Sequence, residues 1–416
     1  MADTAYLLGA GVNRSVSTRH GLTPPLALDF FRQAFRHPVF STNNYQGRLS
    51  PLLDFIEKFW RLDKTQLLTT DFDLEECYTL LELQRREAHA QDDAERVADA
   101  TRVQFLLTDF FIEYLSEFEY MREVPSAFRD FASVIYTSRA TVLTFNYDIL
   151  LESQLEAVSP VNDAANRAYM AREKAIADNR PALRATLQQQ GLSEREIRNR
   201  LYSNDDIYDE HVGFSPHLWN QLLAYNVRFD EVALLTPGLT HLVPGDTYYA
   251  NASNSEPHAP FLKLHGSLGW FVRSGYRIDG TPLPDSSTAG NTVVTRPSHI
   301  RGIGNIDYTG EILLPLILTP MLDKPYLAHP LLRELWKKAR LELGKCKKLV
   351  IAGYSFPPTD FHVRLLLREV FSMCGPEELC VINPDLSVIP KAKDLCNYSG
   401  PVMACANLDE YLRSGA

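Results

Sequence analysis

The sequence predicts an α/β fold: a Rossmann-like parallel sheet covered by helices on both faces, with an additional helical lobe or insertion. Apolar runs of strand length alternate along the chain with segments of helical periodicity. Within these runs apolar and polar residues do not alternate, which is typical of parallel strands buried on both faces. The helical sequence at 41–135 and 156–229 exceeds the length of ordinary crossover connections. We therefore expect these two segments to form the additional lobe.

The sheet domain is predicted from the remaining segments, 1–40, 136–155 and 230–416. Its strands are indicated by short runs rich in β-branched and aliphatic residues. In chain order the predicted strands are residues 4–10, 141–144, 260–264, 312–318, 347–356 and 378–385, followed by a last short strand and helix in VMACANLDEYL.

Helices are predicted where apolar residues recur three or four positions apart. LALDFFRQAF places Leu28, Phe31 and Phe35 in this way, and the pattern continues from 50 to 135 and in HPLLRELWKKARLEL. The polar, alanine-rich stretch 88–100 is typical of an exposed helix or of a helix–helix connection. Turn residues dominate 275–291 and predict a loop there.

Composition limits the class of protein. The chain has 416 residues, 45% hydrophobic and 23% charged, as in a globular protein long enough for two lobes. A formal net charge of −10 argues against a general nucleic-acid binder, and no direct nucleic-acid contact is expected. No apolar run approaches the ~18–20 residues of a membrane helix, and the first residues lack the basic region of a signal peptide. A cytoplasmic protein without membrane contact is predicted.

A glycine turn follows the first predicted strand. Glycines there let the backbone approach a pyrophosphate, and a following helix N-terminus would stabilise its charge. Position 14 is arginine instead of the third glycine of GxGxxG, and Asp29 falls in a helical pattern, so a hydride-transferring dehydrogenase is disfavoured. A tight turn without a ligand is the alternative interpretation. The candidate binding residues are Gly9, Ala10, Gly11, Val12 and Asn13.

Two more motifs place polar residues at strand ends. Phe145, Asn146 and Asp148 follow the run TVLT, where the Asn or the Asp could also be a helix cap. His265 ends the run FLKL, and Gly266 leaves its imidazole facing a cleft, although a lone histidine after a strand is often structural. An imidazole can act as a base near neutral pH or hydrogen-bond a ribose hydroxyl.

The motif GYSFPPTD follows the strand KLVIA. Gly353, Tyr354 and Ser355 are expected to bring backbone and hydroxyl donors to a second phosphate or a ribose. Asp360 begins the helix FHVRLLLREVF, so it either caps that helix or contacts a ligand. Asn383, at the end of CVIN, contacts the adenosine half of a dinucleotide or is a turn residue.

In their order along the chain, GAGVN, TFNYD, KLHGS, GYSF and VINPD resemble the NAD site of the sirtuin family. TFNYD together with GYSFPPTD is similar to its bacterial anti-phage branch. The resemblance covers the sheet-forming segments, about half of the chain, and implies a sirtuin-like NAD-binding domain with NAD as substrate. Members of this branch hydrolyse NAD to nicotinamide and ADP-ribose, and the loss of NAD stops host cell and phage together.

The resemblance implies an NAD+ glycohydrolase that acts as an abortive-infection effector, with Asn146 and His265 as its catalytic residues. Asn146 is expected to position the ribose or the attacking water, while Asp148 caps the helix or orders Asn146. His265 is expected to act as a base or to hold the ribose hydroxyls. Because the transition state is oxocarbenium-like, as in glycoside hydrolysis, the reaction requires no metal.

Two other functions stay open. Sirtuin deacylases carry a four-cysteine zinc module and a GIPDFR-type loop, whereas the six cysteines here form no CxxC pair and GLTPP stands at that loop. A protein deacylase is therefore the less favoured alternative, and no metal is expected. The other is a regulatory subunit that binds NAD or ADP-ribose without catalysis, although a pure binder could dispense with His265.

Regulation is expected from self-assembly, from the helical lobe or from a separately encoded partner, because the chain ends soon after its last predicted sheet segment. Stand-alone chains of this branch resemble effectors paired with a HerA-type ring ATPase or with a short Argonaute. The ATPase is the favoured partner, and a homo-oligomer is expected in either case.

Overall fold

The structure of the chain is a computed structural model. It describes residues 3–18, 21–120, 122–158, 182, 184–191, 193, 197, 225, 227–236, 239–246, 259–277, 282–283, 290, 292–294, 305–306, 311–322 and 324–415. The predicted helical insertion at 156–229 and the predicted loop at 275–291 therefore lie largely outside the described residues, although residues 184–189 are helical.

The described strands and helices are numbered in chain order. The strands are β1 (Thr4–Leu8), β2 (Ser17–Thr18), β3 (Arg122–Glu123), β4 (Thr141–Thr144), β5 (Glu231–Thr236), β6 (Leu239–Pro244), β7 (Phe261–Lys263), β8 (Gly266–Arg277), β9 (Thr292–Val294), β10 (Asn305–Ile306), β11 (Glu311–Ile317), β12 (Lys348–Ala352), β13 (Glu378–Ile382) and β14 (Val402–Cys405). The helices are α1 (Phe30–Ala34), α2 (Asn43–Arg48), α3 (Ser50–Trp60), α4 (Lys64–Leu67), α5 (Leu74–Ala90), α6 (Ala94–Tyr120), α7 (Ser126–Ser138), α8 (Leu150–Val158), α9 (Pro330–Leu343), α10 (Phe361–Val370), α11 (Val388–Leu395) and α12 (Leu408–Arg413).

Six parallel strands form the central sheet in the order β14-β13-β12-β1-β4-β7. Every residue of β4 is buried, as are the last four residues of β1, β12 and β13. Because successive side chains of a strand point to opposite faces, both faces of this sheet are covered. Helices α7, α8 and α12 pack in one group and α9, α10 and α11 in another. The predicted α/β class with a covered parallel sheet is confirmed.

The strand order defines where polar side chains gather. Counted in chain order within this sheet alone, the strands lie 3-2-1-4-5-6, which is the order of a dinucleotide-binding Rossmann sheet. The order reverses between β1 and β12. Since parallel strands all end at one edge, the motifs that follow β1, β4, β7, β12 and β13 meet there.

A second six-stranded sheet, which the sequence does not predict, has the order β10-β11-β8-β9-β5-β6. The predicted strand at 312–318 exists as β11, but it runs antiparallel to β8 in this sheet. The chain enters the second sheet directly after His265. Gly266 has φ +84°, and an added Cβ would lie 2.1 Å from Leu316 O, so only glycine fits where the two sheets join.

Helices α1 to α6 form a layer whose aromatic side chains belong to the same hydrophobic core as the central sheet. The rings of Phe30, Phe31 and Phe110 lie 5.1–5.9 Å apart in edge-to-face contacts. Helices α5 and α6 pack on each other, so the alanine-rich stretch at 88–100 contains the predicted helix–helix connection. Helix α1 is shorter than predicted, because Leu26 N donates to Asp29 Oδ1 at 2.7 Å and Asp29 N donates to Leu26 O at 3.2 Å, which close a turn before the helix.

Candidate functional site

The glycine turn after β1 lies against the turn after β12, where the strand order reverses. An added Cβ on Gly9 or on Gly11 would lie 2.6 Å or 2.8 Å from the carbonyl oxygen of Gly353. Gly353 has φ +60°, and its own Cβ would lie 2.0 Å from Val12 N. All three positions therefore require glycine for the packing of the two turns.

Most backbone donors of the glycine turn are used within the chain. Gly11 N donates to Gly353 O at 2.9 Å, and Gly9 N donates to Ala352 O at 3.0 Å. Val12 N donates to Gly9 O at 3.2 Å. The first two bonds hold the glycine turn to the β12 segment and the third closes the turn on itself, so all three N–H groups are engaged before any ligand arrives.

The helix expected after this turn is only a six-residue 3-10 helix, Ala10–Ser15. The first α-helix begins at Phe30, so the predicted helix N-terminus at the phosphate turn is not found. Ala10 and Ser355 are the exposed members of the two turns. They mark the side from which a ligand would approach.

Asn13 and Asp148 join the glycine turn to the start of α8. Asn13 Nδ2 donates to Asp148 Oδ2 at 2.8 Å, and Leu150 N donates to Asp148 Oδ1 at 3.0 Å. Asp148 therefore caps the helix, one of the two roles predicted for it. Its burial raises the pKa of the carboxyl group, against hydrogen bonds and a nearby lysine that lower it. Asn13 Oδ1 is buried and receives no hydrogen bond from the described residues.

Asn146 connects β4 to the glycine turn. Its Nδ2 donates to Gly9 O at 3.2 Å, and its backbone N–H donates to Thr144 Oγ1 at 3.1 Å. The side chain is buried and turned toward the carboxyl edge of the sheet. Because Asp148 caps α8, the cap interpretation of Asn146 is not needed.

His265 lies at the end of the neighbouring strand β7, within a group of aromatic rings. The rings of Phe145 and Tyr147 are 5.0 Å and 6.0 Å from its imidazole. Its carbonyl accepts the N–H of Leu318 at 2.8 Å, which holds β7 to the second sheet. Burial is the main cause that lowers the pKa of His265 to about 3; the nearby Asp360 opposes it, while Lys324 and His362 lower the pKa further. The imidazole is therefore neutral at physiological pH.

Asp360 faces His265 from the start of α10. Its Oδ1 lies 3.8 Å from His265 Nε2 and accepts the Nζ of Lys324 at 2.5 Å. Its Oδ2 accepts the hydroxyl of Tyr354 at 2.8 Å. The carboxylate makes no capping hydrogen bond to α10, so the cap interpretation is wrong for its side chain. Burial alone would raise the pKa of Asp360, but His265, Lys324 and the two hydrogen bonds outweigh it and lower the pKa.

Helix α5 contacts both segments that carry this cluster. The hydroxyl of Thr359, next to Asp360, donates to the carboxylate of Glu75. The N–H of Leu322, close to Lys324 in the chain, donates to Thr79 Oγ1 at 3.0 Å. The helical layer therefore fixes the position of the site in addition to covering the sheet.

A second buried cluster lies below the strand ends and was not predicted. Lys263 Nζ donates to Glu152 Oε1 at 2.7 Å and to the carbonyl of Asp148. Tyr225 donates its hydroxyl to the same Glu152 oxygen at 3.2 Å. Burial raises the pKa of Glu152, while Lys263 lowers it. The sequence signal was a lysine inside the apolar run FLKL.

Asn383 ends β13 at the same edge. Its Nδ2 lies 3.4 Å from Tyr354 O, and its Oδ1 accepts the N–H of Asp385 at 3.0 Å. These contacts are those of a turn residue, which was one of the two predicted roles of Asn383. The predicted residues of the first, second, third and fourth motifs thus lie at one edge of the sheet, and Asn383 lies beside the fourth.

No protein-family model matches the chain, and no curated protein matches it. Among solved structures the chain is similar to one described as the crystal structure of a Sir2 homologue–NAD complex. The identity is 12%, over 99% of this chain and 86% of that chain, with a TM-score of 0.37. A likeness this distant assigns neither family nor activity.

Two general features complete the description. No helix in the described part of the chain is long and apolar enough to cross a membrane. Among the described residues, no group of three or more His, Cys, Asp or Glu side chains is arranged to hold a metal ion.

Proposed function

We propose that the chain is an NAD+ glycohydrolase, which cleaves the nicotinamide–ribose bond to give nicotinamide and ADP-ribose. The observation that carries the proposal is the strand order 3-2-1-4-5-6 with Asn146 and His265 at the ends of neighbouring strands. Ligands of such sheets bind outside the carboxyl ends of the strands, where the order reverses. The series of motifs at this edge supports NAD as the dinucleotide.

The side chains at this edge suit a dinucleotide. Asn13 offers a buried acceptor for a ribose hydroxyl. Ala10 and Ser355 are exposed at the two turns, where a pyrophosphate would take an N–H and a hydroxyl donor. Asn383 lies beside Tyr354 at the next strand end, toward the second half of the ligand.

Cleavage of the nicotinamide–ribose bond does not require a general acid. Nicotinamide is cationic in NAD+ and leaves as a neutral molecule, so its departure needs no protonation. The enzyme must orient the ribose, stabilise an oxocarbenium-like transition state and place a water. Asn146, held to the glycine turn, orients the ribose or the water. His265, with a pKa of about 3, is a weak base, and its neutral imidazole is suited to hydrogen-bonding the ribose hydroxyls.

The cellular role is proposed from the resemblance of the motifs. NAD depletion in the cytoplasm would serve abortive infection in anti-phage defence. The activity would then be regulated by homo-oligomerisation and by a separately encoded partner. The favoured partner is a HerA-type ATPase, and a short Argonaute is the alternative. Size-exclusion chromatography with each partner, followed by nicotinamide release, tests both parts.

The enzymatic proposal is tested by nicotinamide release from NAD+, measured across a series of protein concentrations. Asn146→Ala and His265→Ala are expected to lower the rate at least about 100-fold. The matched controls are Asn44→Ala and His89→Ala, which replace exposed residues of the helical layer and should leave the rate unchanged. Circular dichroism verifies that all four variants fold.

The possible outcomes separate the functions. Release that is lost in both site variants and kept in both controls supports the glycohydrolase. Saturable NAD+ binding without release, even with the partners present, would favour a regulatory binder instead. Release of nicotinamide only in the presence of an acylated peptide would favour a deacylase.

A further inference from the structure

Two buried side chains converge on the carboxylate of Asp360, beside His265. Asp360 and Lys324 are 4% and 3% exposed, and their ion pair is joined by the hydroxyl of Tyr354. Burying a charge pair is costly, so such a cluster is unusual where packing alone is required. Perturbed ionisable groups of this kind are concentrated at functional sites.

The carboxylate of Asp360 keeps capacity for further hydrogen bonds. An ionised carboxylate has about four lone-pair positions. Among the described residues, Lys324 and Tyr354 are the hydrogen-bond donors to its side chain. His265 Nε2, at 3.8 Å, is too far for a hydrogen bond. A water or a ribose hydroxyl between the strand ends would find free acceptor positions here.

We propose that Asp360 is a further catalytic residue of the glycohydrolase, whose carboxylate orients the attacking water and stabilises the positive charge that develops on the ribose. This inference rests on the proposed function. Lys324 and Tyr354 act as positioning residues, because each binds one oxygen of the carboxylate.

The step balances without a further reactant. The water oxygen forms a bond to C1′ of the nicotinamide-bearing ribose as the C1′–N bond breaks. The electron pair of that bond remains on the pyridine nitrogen and neutralises its charge. The Asp360 carboxylate accepts a hydrogen bond from the water, which releases its proton to solvent once the bond to C1′ has formed. The products are nicotinamide, ADP-ribose and one proton.

Other buried carboxylates near the site are committed elsewhere. Asp148 caps α8 and accepts Asn13. Glu152 is paired with Lys263 below the strand ends. Glu75 accepts the hydroxyl of Thr359. Among these four carboxylates of the described residues, only Asp360 lies in ion-pair range of the imidazole of His265, with its Oδ1 3.8 Å from Nε2, which singles it out.

The test is Asp360→Asn, which keeps the shape of the side chain and removes its charge. We expect kcat for nicotinamide release to fall at least about 100-fold, while the affinity for NAD+, measured by titration calorimetry, changes less than about threefold. Asp130→Asn is the matched control, because Asp130 is an exposed aspartate of α7 and belongs to none of the site motifs. It should keep the wild-type kcat and affinity.

A second variant covers the case in which Asp360→Asn does not fold. Tyr354→Phe removes one of the hydrogen bonds that lower the pKa of Asp360. The active form is the ionised carboxylate, so the acid limb of the kcat profile should move to higher pH. The titratable groups around Asp360 are His265, Lys324, Glu75, Tyr147 and Tyr354, and the substitution leaves the other four in place.

The outcomes distinguish this inference from the proposed function. If the wild-type chain releases no nicotinamide under any condition, both are wrong. If it does and Asp360→Asn keeps kcat within threefold, only the role of Asp360 is overturned. A loss of NAD+ affinity equal to the loss of rate would also overturn it, because Asp360 would then be a binding residue. An acid limb that Tyr354→Phe does not move counts against it as well.

Discussion

Two buried lysines pair with carboxylates in this protein, and their surroundings differ. Lys263 and Glu152 are 0% and 1% exposed, and Lys324 and Asp360 are 3% and 4% exposed. Each pair also receives a tyrosine hydroxyl. The first pair holds the backbone of α8 through the carbonyl of Asp148, whereas the second faces the imidazole of His265.

The comparison shows that burial and charge pairing do not by themselves indicate function. In the first pair the lysine satisfies a carboxylate and a backbone carbonyl in the interior. In the second, the carboxylate retains open acceptor positions beside an edge where a ligand is proposed to bind. The first pair should therefore affect stability alone, and the second should affect both stability and rate.

The largest expected effect is that of Lys263→Met on stability. Removing the lysine leaves Glu152 buried without its cation and the carbonyl of Asp148 without its donor. Breaking a buried pair in this way costs about 3–5 kcal/mol. Urea denaturation should show this loss in the free energy of unfolding.

Two further variants test whether the loss of stability in Lys263→Met comes from the buried ion pair. Lys347→Met replaces a lysine that is 57% exposed and paired at 3.8 Å with Asp3, and it should change the free energy of unfolding by less than about 0.5 kcal/mol. The double variant Lys263→Met with Glu152→Leu removes both charges and should recover part of the loss. A single Lys263 variant as stable as the wild type would show that the pair has no structural role.

The second largest expected effect is that of His265→Gln on the pH dependence of stability. Of the two buried pairs, only Lys324 and Asp360 face His265. Its folded pKa of about 3 lies below the ordinary value of 6.5, so between these pH values the unfolded chain binds a proton that the folded chain does not. Stability is therefore lost as the pH falls from about 6.5 toward 3. His265→Gln removes this loss, so relative to wild type it should gain about 2 kcal/mol between pH 7.5 and pH 5.

Denaturation at both pH values provides the measurement, with His89→Gln on α5 as the control for replacing a histidine by glutamine. The same comparison sharpens the role of His265 in the reaction. A kcat profile that stays flat between pH 5 and 8 agrees with an imidazole that is neutral throughout. An acid limb near pH 6.5 in wild type that disappears in His265→Gln would instead show a histidine with an ordinary pKa.

The parts of the fold that could be predicted are those with local signals. The run TVLT becomes β4 at the predicted residues, because a short run of β-branched and aliphatic residues fits a strand buried on both faces. The motif residues at strand ends follow from that topology. Asn146 and His265 come to adjacent positions because β4 and β7 are neighbours.

What was missed depends on contacts between distant segments. The second sheet pairs β8 with β11, and β8 begins at Gly266, where the sequence indicated only the end of another strand. Lys324 comes from a segment with no strand or helix pattern, and its role appears only when Asp360 is placed beside it. For Lys263 a signal existed, since a charged residue inside an apolar strand must find a buried partner.

The smallest expected effects come from the two tyrosines, and they test the comparison most directly. Tyr225→Phe removes one hydrogen bond to Glu152, and Tyr354→Phe removes one to Asp360. Each should cost about 1.5–2 kcal/mol of stability, at the lower end of the range for a hydrogen bond to a charged group. Only Tyr354→Phe should lower kcat for nicotinamide release, by roughly tenfold, since only its carboxylate is proposed to contact the reacting water.

The two variants carry the same chemical change and should lose a similar amount of stability. A difference in kcat between them therefore reflects a role in the reaction and not a general effect on the fold. Equal losses of kcat would mean that the Lys263 pair also controls the reaction, through Asp148 and Asn13 in the glycine turn. The distinction between the two buried pairs would then be wrong. In that case the network from Tyr225 to Asn13 would have to be treated as part of the site.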